Sequence, residues 1–124
     1  MSENKPVLDP ETIEKLRSLN RPGKKDLVAE LGELFFQDSP ALLDTASEAL
    51  ASKDFEVLYK AVHRLKGSAL YRGGTELGDL CQRIMAAARA EDSEGLAAEI
   101  QKLRPAYDRL SEALNQEIEQ GLPG

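Results

Sequence analysis

His63 is the only histidine in the 124-residue chain, and it lies in the run His63-Arg64-Leu65-Lys66-Gly67-Ser68-Ala69. A solvent-facing imidazole is mostly neutral near neutral pH and offers a nitrogen lone pair that can attack phosphorus. Lys66 follows on the next helical turn, on the same face, where its ammonium can approach phosphoryl oxygens and offset their charge. Gly67 lies one turn beyond His63, and a glycine inside a helix costs about 1 kcal/mol relative to alanine. Its presence there points to a steric demand, namely close approach of a partner's backbone. Phosphoryl transfer depends mainly on alignment and charge stabilisation, so a rigid helix presenting one ring suits a carrier. Other chemistry is poorly supplied: one histidine and the single cysteine, Cys81, fall short of the three or four ligands a zinc site needs.

The element that must carry His63 is a helix. Phe55, Leu58, Val62, Leu65 and Ala69 repeat at helical spacing and mark a buried stripe that His63 narrowly misses, which turns the ring outward or to the stripe's edge. This helix is expected to start at Ser52 or Asp54 and to stop at Gly73-Gly74, where glycine supplies a left-handed cap. A fourth helix then starts near Thr75 with Leu77, Leu80, Cys81, Ile84 and Ala88 inward, making Cys81 a packed thiol. Counting back from the turn, the residues opposite His63 fall near Ile84 and Met85, so Met85 and Arg89 are expected to rim the site. Lys60, Arg64 and Lys66 make that rim basic, and Leu70 and Tyr71 add apolar area on the same side.

The rest of the chain reads as support. Asp9-Pro10-Glu11 opens a short first helix with Ile13, Leu16 and Leu19 inward. After the breaker Asn20-Arg21-Pro22-Gly23, Leu27, Leu31, Leu34, Phe35, Leu42, Ala46 and Leu50 trace a long second helix, which Pro40 should kink or break. Glu91-Asp92-Ser93 separates the fourth helix from a fifth with the stripe Leu96, Ile100, Leu103, Tyr107, Leu110, Leu114 and Ile118, bent locally by Pro105. Strand-like alternation is missing. The expected fold is therefore all-α: an antiparallel up-down-up-down four-helix bundle over residues 9–119, with the short N-terminal helix across one end. Residues 1–8 are expected to form a flexible arm and 120–124 a C-terminal tail.

Composition narrows the function. The 16 Lys and Arg against 22 Asp and Glu give a net charge of −6, with no dense basic block for nucleic acid. No apolar run approaches the roughly 18 residues that span a bilayer, and Met-Ser-Glu-Asn-Lys-Pro lacks the apolar core of a signal peptide, so a cytoplasmic protein without a membrane role is expected. A chain of this length holds one bundle and no nucleotide-binding domain as well, so an enzyme with its own ATP site is not expected. A complete four-helix core in one chain favours a monomer.

These residues resemble the histidine-containing phosphotransfer (HPt) domains of bacterial multistep two-component signalling. In that family the phosphorylated histidine is followed by a variable residue, an apolar residue, Lys-Gly-Ser and a small residue, matched by His63, Leu65, Lys66, Gly67, Ser68 and Ala69. Gly73 and the pair Leu80-Cys81 also match without gaps, and the similarity runs from about Leu8 to Leu114. Arg72 departs from a usually apolar position and Met85 from one often held by glutamate or glutamine. The resemblance implies a shuttle in which His63 takes a phosphoryl group from one receiver-domain aspartate and gives it to another. The partners implied are response-regulator receiver domains and a hybrid sensor kinase, with Lys60, Arg64, Gly67, Leu70, Tyr71, Met85 and Arg89 as docking residues. The chain would need no cofactor of its own, and Mg²⁺ would sit in the receiver. In a sensor kinase's dimerisation helix the histidine is usually followed by an acidic residue, whereas Arg64 follows here. The alternative from another class is a helical adaptor that binds a receiver or kinase without carrying phosphate, and phosphorylation chemistry separates the two.

Overall fold

The computed structural model describes residues 5–121, which form six helices and, among the described residues, no strand. They are α1 (Pro10–Ser18), α2 (Leu27–Ala51), α3 (Phe55–Tyr71), α4 (Thr75–Arg89), α5 (Ser93–Ile100) and α6 (Leu103–Gln120). Helices α2, α3 and α4 pack in chain order, α5 and α6 form the fourth arm against α4, and α6 returns to α2 to close the bundle. One core runs through all four arms, with Phe35, Leu58, Val62, Leu65, Leu77, Ile84, Leu96, Leu110 and Leu114 almost wholly shielded from solvent. None of the helices is long and apolar enough to cross a membrane.

Four of the six helices start at an aspartate. Asp9, Asp26, Asp54 and Asp92 each accept a backbone N–H of the first turn, from Glu11, Ala29, Val57 and Gly95 respectively, at 3.0–3.2 Å, replacing a partner that the helix itself cannot supply. α3 stops as expected at Gly73, which has φ +85°. The Gly74 N–H donates to Ala69 O at 2.8 Å and the Gly73 N–H to Leu70 O at 3.0 Å, the paired closure that requires a left-handed residue.

Several expectations change. Five helical segments become six, because the fifth divides between Ile100 and Leu103. Pro105 explains the division: it has no N–H to give the Gln101 carbonyl, and its ring crowds that carbonyl. Pro40, by contrast, lies inside a continuous α2. The buried face of α2 is Val28, Ala29, Gly32, Phe35, Ser39, Leu43, Ala46 and Ala49, while Leu34 is 43% exposed. A glycine holds position 32 on this face because α6 comes close there: a Cβ on Gly32 would stand 2.9 Å from Ile118 Cδ1. Leu19 caps α1 in the solvent rather than packing, at 65% exposure.

Residues 5–8 are not a free arm. Pro6 O accepts the Glu76 N–H at 2.9 Å and the Thr75 hydroxyl at 2.5 Å, and Val7 and Leu8 pack against the core. α1 lies across the adjoining end of the bundle, held by Asp9 N–H to Gly73 O at 2.8 Å and by Arg17, which donates to the Glu117 carboxylate at 3.0 Å and the Glu117 carbonyl at 2.7 Å. Of the expected tail, Gln120 ends α6 and Gly121 caps it. Residues 1–4 and 122–124 lie outside the described residues.

Candidate functional site

The buried stripe of α3 turns Leu58, Val62, Leu65 and Ala69 into the core and leaves His63 exposed. Lys60, Arg64 and Gly67 are exposed around it, and Leu70 and Tyr71 keep 42% and 61% of their surface. A shallow depression of about 310 Å³ is lined by Tyr59, Lys60, His63 and Arg64. The expected face therefore exists, and it is open. Lys60 pairs only distantly with Glu56, at 4.0 Å with both side chains mostly in solvent, so its charge remains available to a partner.

Three contacts set the register of α3 on α4. Tyr59 OH accepts from Arg89 Nη2 at 2.7 Å, Lys66 Nζ donates to Gln82 Oε1 at 2.5 Å, and Leu70 covers Gly78, where any Cβ would overlap its side chain. All three agree with an antiparallel pairing that puts Met85 level with His63, as the sequence predicted. Met85 nevertheless does not rim the site. It is 5% exposed and points with Ile84 and Ala88 into the core. Gln82, Arg83, Ala86 and Arg89 of α4 are exposed, and of these Gln82 and Arg89, one turn to either side of Met85, reach α3.

Tyr59 and Gln82 are the site residues that sequence reasoning passed over. The Tyr59 ring stacks on the His63 ring, with centroids 6.1 Å apart and planes 13° from parallel. The Arg89 guanidinium lies 4.5 Å from the Tyr59 centroid. Their signal was present in the spacing: Tyr59 precedes His63 by one helical turn, and Gln82 faces Lys66 in the hairpin register.

Gly67 has open space where a Cβ would be, with nothing within 4 Å. Helix packing thus makes no demand for glycine here. Gly67→Gln should leave the fold intact and even raise its stability by up to about 1 kcal/mol through helix propensity, as read by chemical denaturation. A destabilised Gly67→Gln protein would return Gly67 to a packing role.

Arg72, the departure from an apolar pattern, is 8% exposed. Its Nε donates to Leu31 O at 2.7 Å, and its Nη1 donates to Ser68 O at 2.9 Å and Ser68 Oγ at 3.1 Å. It also lies 5.6 Å from the Phe35 centroid. Burial pulls its pKa below the ordinary arginine value, and the hydrogen bonds supply partners to a charge removed from water. Arg72 ties α3 to α2 and contributes nothing to the open face.

Cys81 is fully buried, and burial pushes its thiol up to about 12. The folded chain thus keeps its thiol proton over a range in which the unfolded chain, titrating near the ordinary 9.0, loses it. Stability should fall as pH rises above about 9. A thiol reagent at pH 8 should modify Cys81 only after denaturant is added; rapid reaction of the native protein would contradict its placement.

A larger groove of about 370 Å³ between α4 and the α5–α6 arm contains Glu76, Asp79, Arg83, Lys102 and Arg109. Glu76, Asp79, Arg83, Lys102 and Arg109 are already paired. Arg109 spans Glu76 at 3.0 and 3.1 Å, and Arg83 and Lys102 each reach Glu99 at 2.7 Å. Hydrogen bonds from Lys102 and Arg83 hold the Glu99 carboxyl below the usual carboxylate range.

Comparison with known proteins agrees with this geometry. The crystal structure of histidine-containing phosphotransfer protein B from Pseudomonas aeruginosa superposes with a TM-score of 0.83 at 21% identity, covering 94% of this chain and 98% of that one, a likeness of fold. Histidine-containing phosphotransfer protein 5 of Arabidopsis thaliana is 31% identical over 102 residues, or 80% of this chain. The matched region spans 65% of that relative's length, just under two thirds. Sensor histidine kinase GacS of Pseudomonas protegens is 33% identical over 89 residues, which is 72% of this chain and 10% of the kinase. The Hpt domain family model matches residues 30–120, a span containing the whole α3–α4 hairpin with His63 at its exposed face, and the chain belongs to that family.

Proposed function

We propose that this protein is a phosphoryl carrier in a multistep phosphorelay, with His63 as its acceptor and donor. The observation that carries the reading is the exposed His63 ring on a rigid helix, beside Lys66 and the empty space over Gly67. An unprotonated ring nitrogen attacks the phosphorus of a receiver's aspartyl phosphate. The N–P bond forms as the P–O bond to the aspartate breaks, and the bonding pair leaves on the carboxylate. The reverse step loads a second receiver. Lys66 exchanges Gln82 for a phosphoryl oxygen and offsets the charge that His63 acquires. The reaction uses no ATP site on this chain, and Mg²⁺ with its acidic pocket belongs to the receiver, where it supplies Lewis-acid stabilisation.

The partners on this reading are response-regulator receiver domains and a hybrid sensor kinase, and the similarity to a segment of a sensor histidine kinase supports the second. Lys60 and Arg64 complement the receiver's acidic pocket, while Gly67, Leu70 and Tyr71 provide close approach and apolar area. The closed core of one chain suits a monomer in the cytoplasm, where both partners present their receiver domains.

A phosphorylated receiver from the same cell should label the wild-type protein with an acid-labile, base-stable phosphoryl group. A protein that binds receivers but never takes the label would be an adaptor. Lys66→Ala should slow transfer about tenfold, the scale of one charge-assisted hydrogen bond, while changing unfolding free energy by less than about 0.5 kcal/mol, as expected for an exposed contact. Equal transfer rates would make Lys66 a bystander.

A further inference from the structure

We propose that Tyr59 is a positioning residue for phosphoryl transfer: it holds the His63 ring in the attitude from which its nitrogen meets the phosphorus, and Arg89 holds Tyr59. The inference rests on the carrier reading above and adds the device that orients its nucleophile.

An imidazole on an exposed helix turns through a broad range about its outer torsion. In-line displacement needs the attacking lone pair aligned with the bond that breaks, and a free ring spends only part of its time so aligned. The Tyr59 ring limits that freedom. Its plane lies 13° from the His63 plane at a centroid separation of 6.1 Å, within the range in which aromatic rings attract one another.

Tyr59 can act as a backstop because it is itself fixed. It is half-buried against the core, its hydroxyl accepts from Arg89 Nη2 at 2.7 Å, and the same guanidinium lies 4.5 Å from its ring centroid. The hydrogen bond and the cation–π contact both come from α4. The ring behind His63 is thus pinned between two helices, at the register that Lys66 and Gln82 share on the other side. Neither Tyr59 nor Arg89 exchanges a proton or touches the transferred group; they act through the attitude of His63. Arg89, expected from the sequence to dock a partner, has its guanidinium engaged by Tyr59.

The test compares single-turnover transfer from a phosphorylated receiver, across receiver concentrations, for wild type, Tyr59→Phe, Tyr59→Leu and Arg89→Ala. Direct phosphorylation by phosphoramidate, which needs no docking, and nuclear Overhauser contacts between the two rings are measured in parallel. Tyr59→Leu should lower the maximal transfer rate roughly 3- to 10-fold, the scale of one aromatic pair. The half-saturating receiver concentration and the phosphoramidate rate should stay unchanged. Tyr59→Phe keeps the ring and should restore most of the rate, with Arg89→Ala in between.

A raised half-saturating concentration at an unchanged maximal rate would make Tyr59 a docking contact and overturn the proposal. So would an equal loss with phosphoramidate, or unchanged rates in Tyr59→Leu and Arg89→Ala alike. Missing ring-to-ring contacts in the wild type would overturn it independently of transfer. Wild-type protein that phosphoramidate labels but no receiver does would instead count against the carrier reading itself.

Discussion

His63→Gln protein should take no phosphoryl group from a phosphorylated receiver, at concentrations that label the wild type to completion. Glutamine keeps a polar side chain of similar reach, but its amide nitrogen gives its lone pair to the carbonyl and cannot attack phosphorus. The chain has no second histidine to substitute. The fold should not notice the exchange, because His63 is exposed and its one aromatic neighbour, Tyr59, is anchored independently by Arg89. The change in unfolding free energy is expected to stay within about 0.5 kcal/mol, as for an ordinary surface substitution. Intact-mass measurement after receiver treatment gives the answer directly. A mass increase of one phosphoryl group in the variant would place the acceptor elsewhere and remove the basis of the proposed mechanism.

The largest stability effect should come from the other side of the bundle. Phe35 is fully buried on α2 and reaches three other residues: Tyr107 of α6 at 5.3 Å between centroids, Phe36 at 6.4 Å, and the Arg72 guanidinium at 5.6 Å. Phe35→Ala removes a ring where α2, α3 and α6 meet, and neighbouring helices collapse only partly into such a space. The expected cost is about 3–5 kcal/mol, a large share of the roughly 10 kcal/mol typical of a domain this size. The loss exposes Arg72 to a poorer environment as well. Phe35→Ala and Arg72→Met should therefore be non-additive by about 0.5–2 kcal/mol in a double-mutant cycle read by chemical denaturation. Strict additivity would mean that the guanidinium gains nothing from the ring. Below its melting temperature the Phe35→Ala protein should still accept phosphate, since the open face of α3 points away from α2's core seam.

What could be read from the residues follows the strength of the local physics. Aspartate caps and the paired glycines at 73–74 act over a few residues, and the limits they imply for α1 and α3 are those found, with Asp54 rather than Ser52 capping α3. The stripe of α3 is equally local, so the exposure of His63 was legible. Along α2 the apolar spacing marks residues that are buried or packed against the core, namely Leu27, Leu31, Phe35, Leu42, Ala46 and Leu50, with Leu34 alone turned outward. Gly32 joins that face through an event distant in sequence, the close passage of α6 and its Ile118. Pro105 signals a disturbance, but whether it bends or divides the helix depends on how α5 and α6 each seat against α4. At the site, the hairpin register placed Met85 at the correct level. The inward stripe Leu77, Leu80, Cys81, Ile84 and Ala88 also sets the rotation about the α4 axis, and Met85, next to Ile84 and one turn from Cys81, falls inside it, while Gln82 and Arg89 reach the surface.

The seat of Pro6 has a practical consequence for anyone preparing a minimal version of this protein. α4 begins at a glycine that offers no side-chain acceptor, and the carbonyl six residues from the chain's start supplies one to Glu76 N–H and another hydrogen bond to Thr75. The family match begins only at residue 30. A truncation drawn at that boundary would strip the clasp from the top of α4, together with Arg17's hold on Glu117. The cooperative unit is thus wider than the recognisable one, and the opening residues are part of what keeps the hairpin beneath His63 in step.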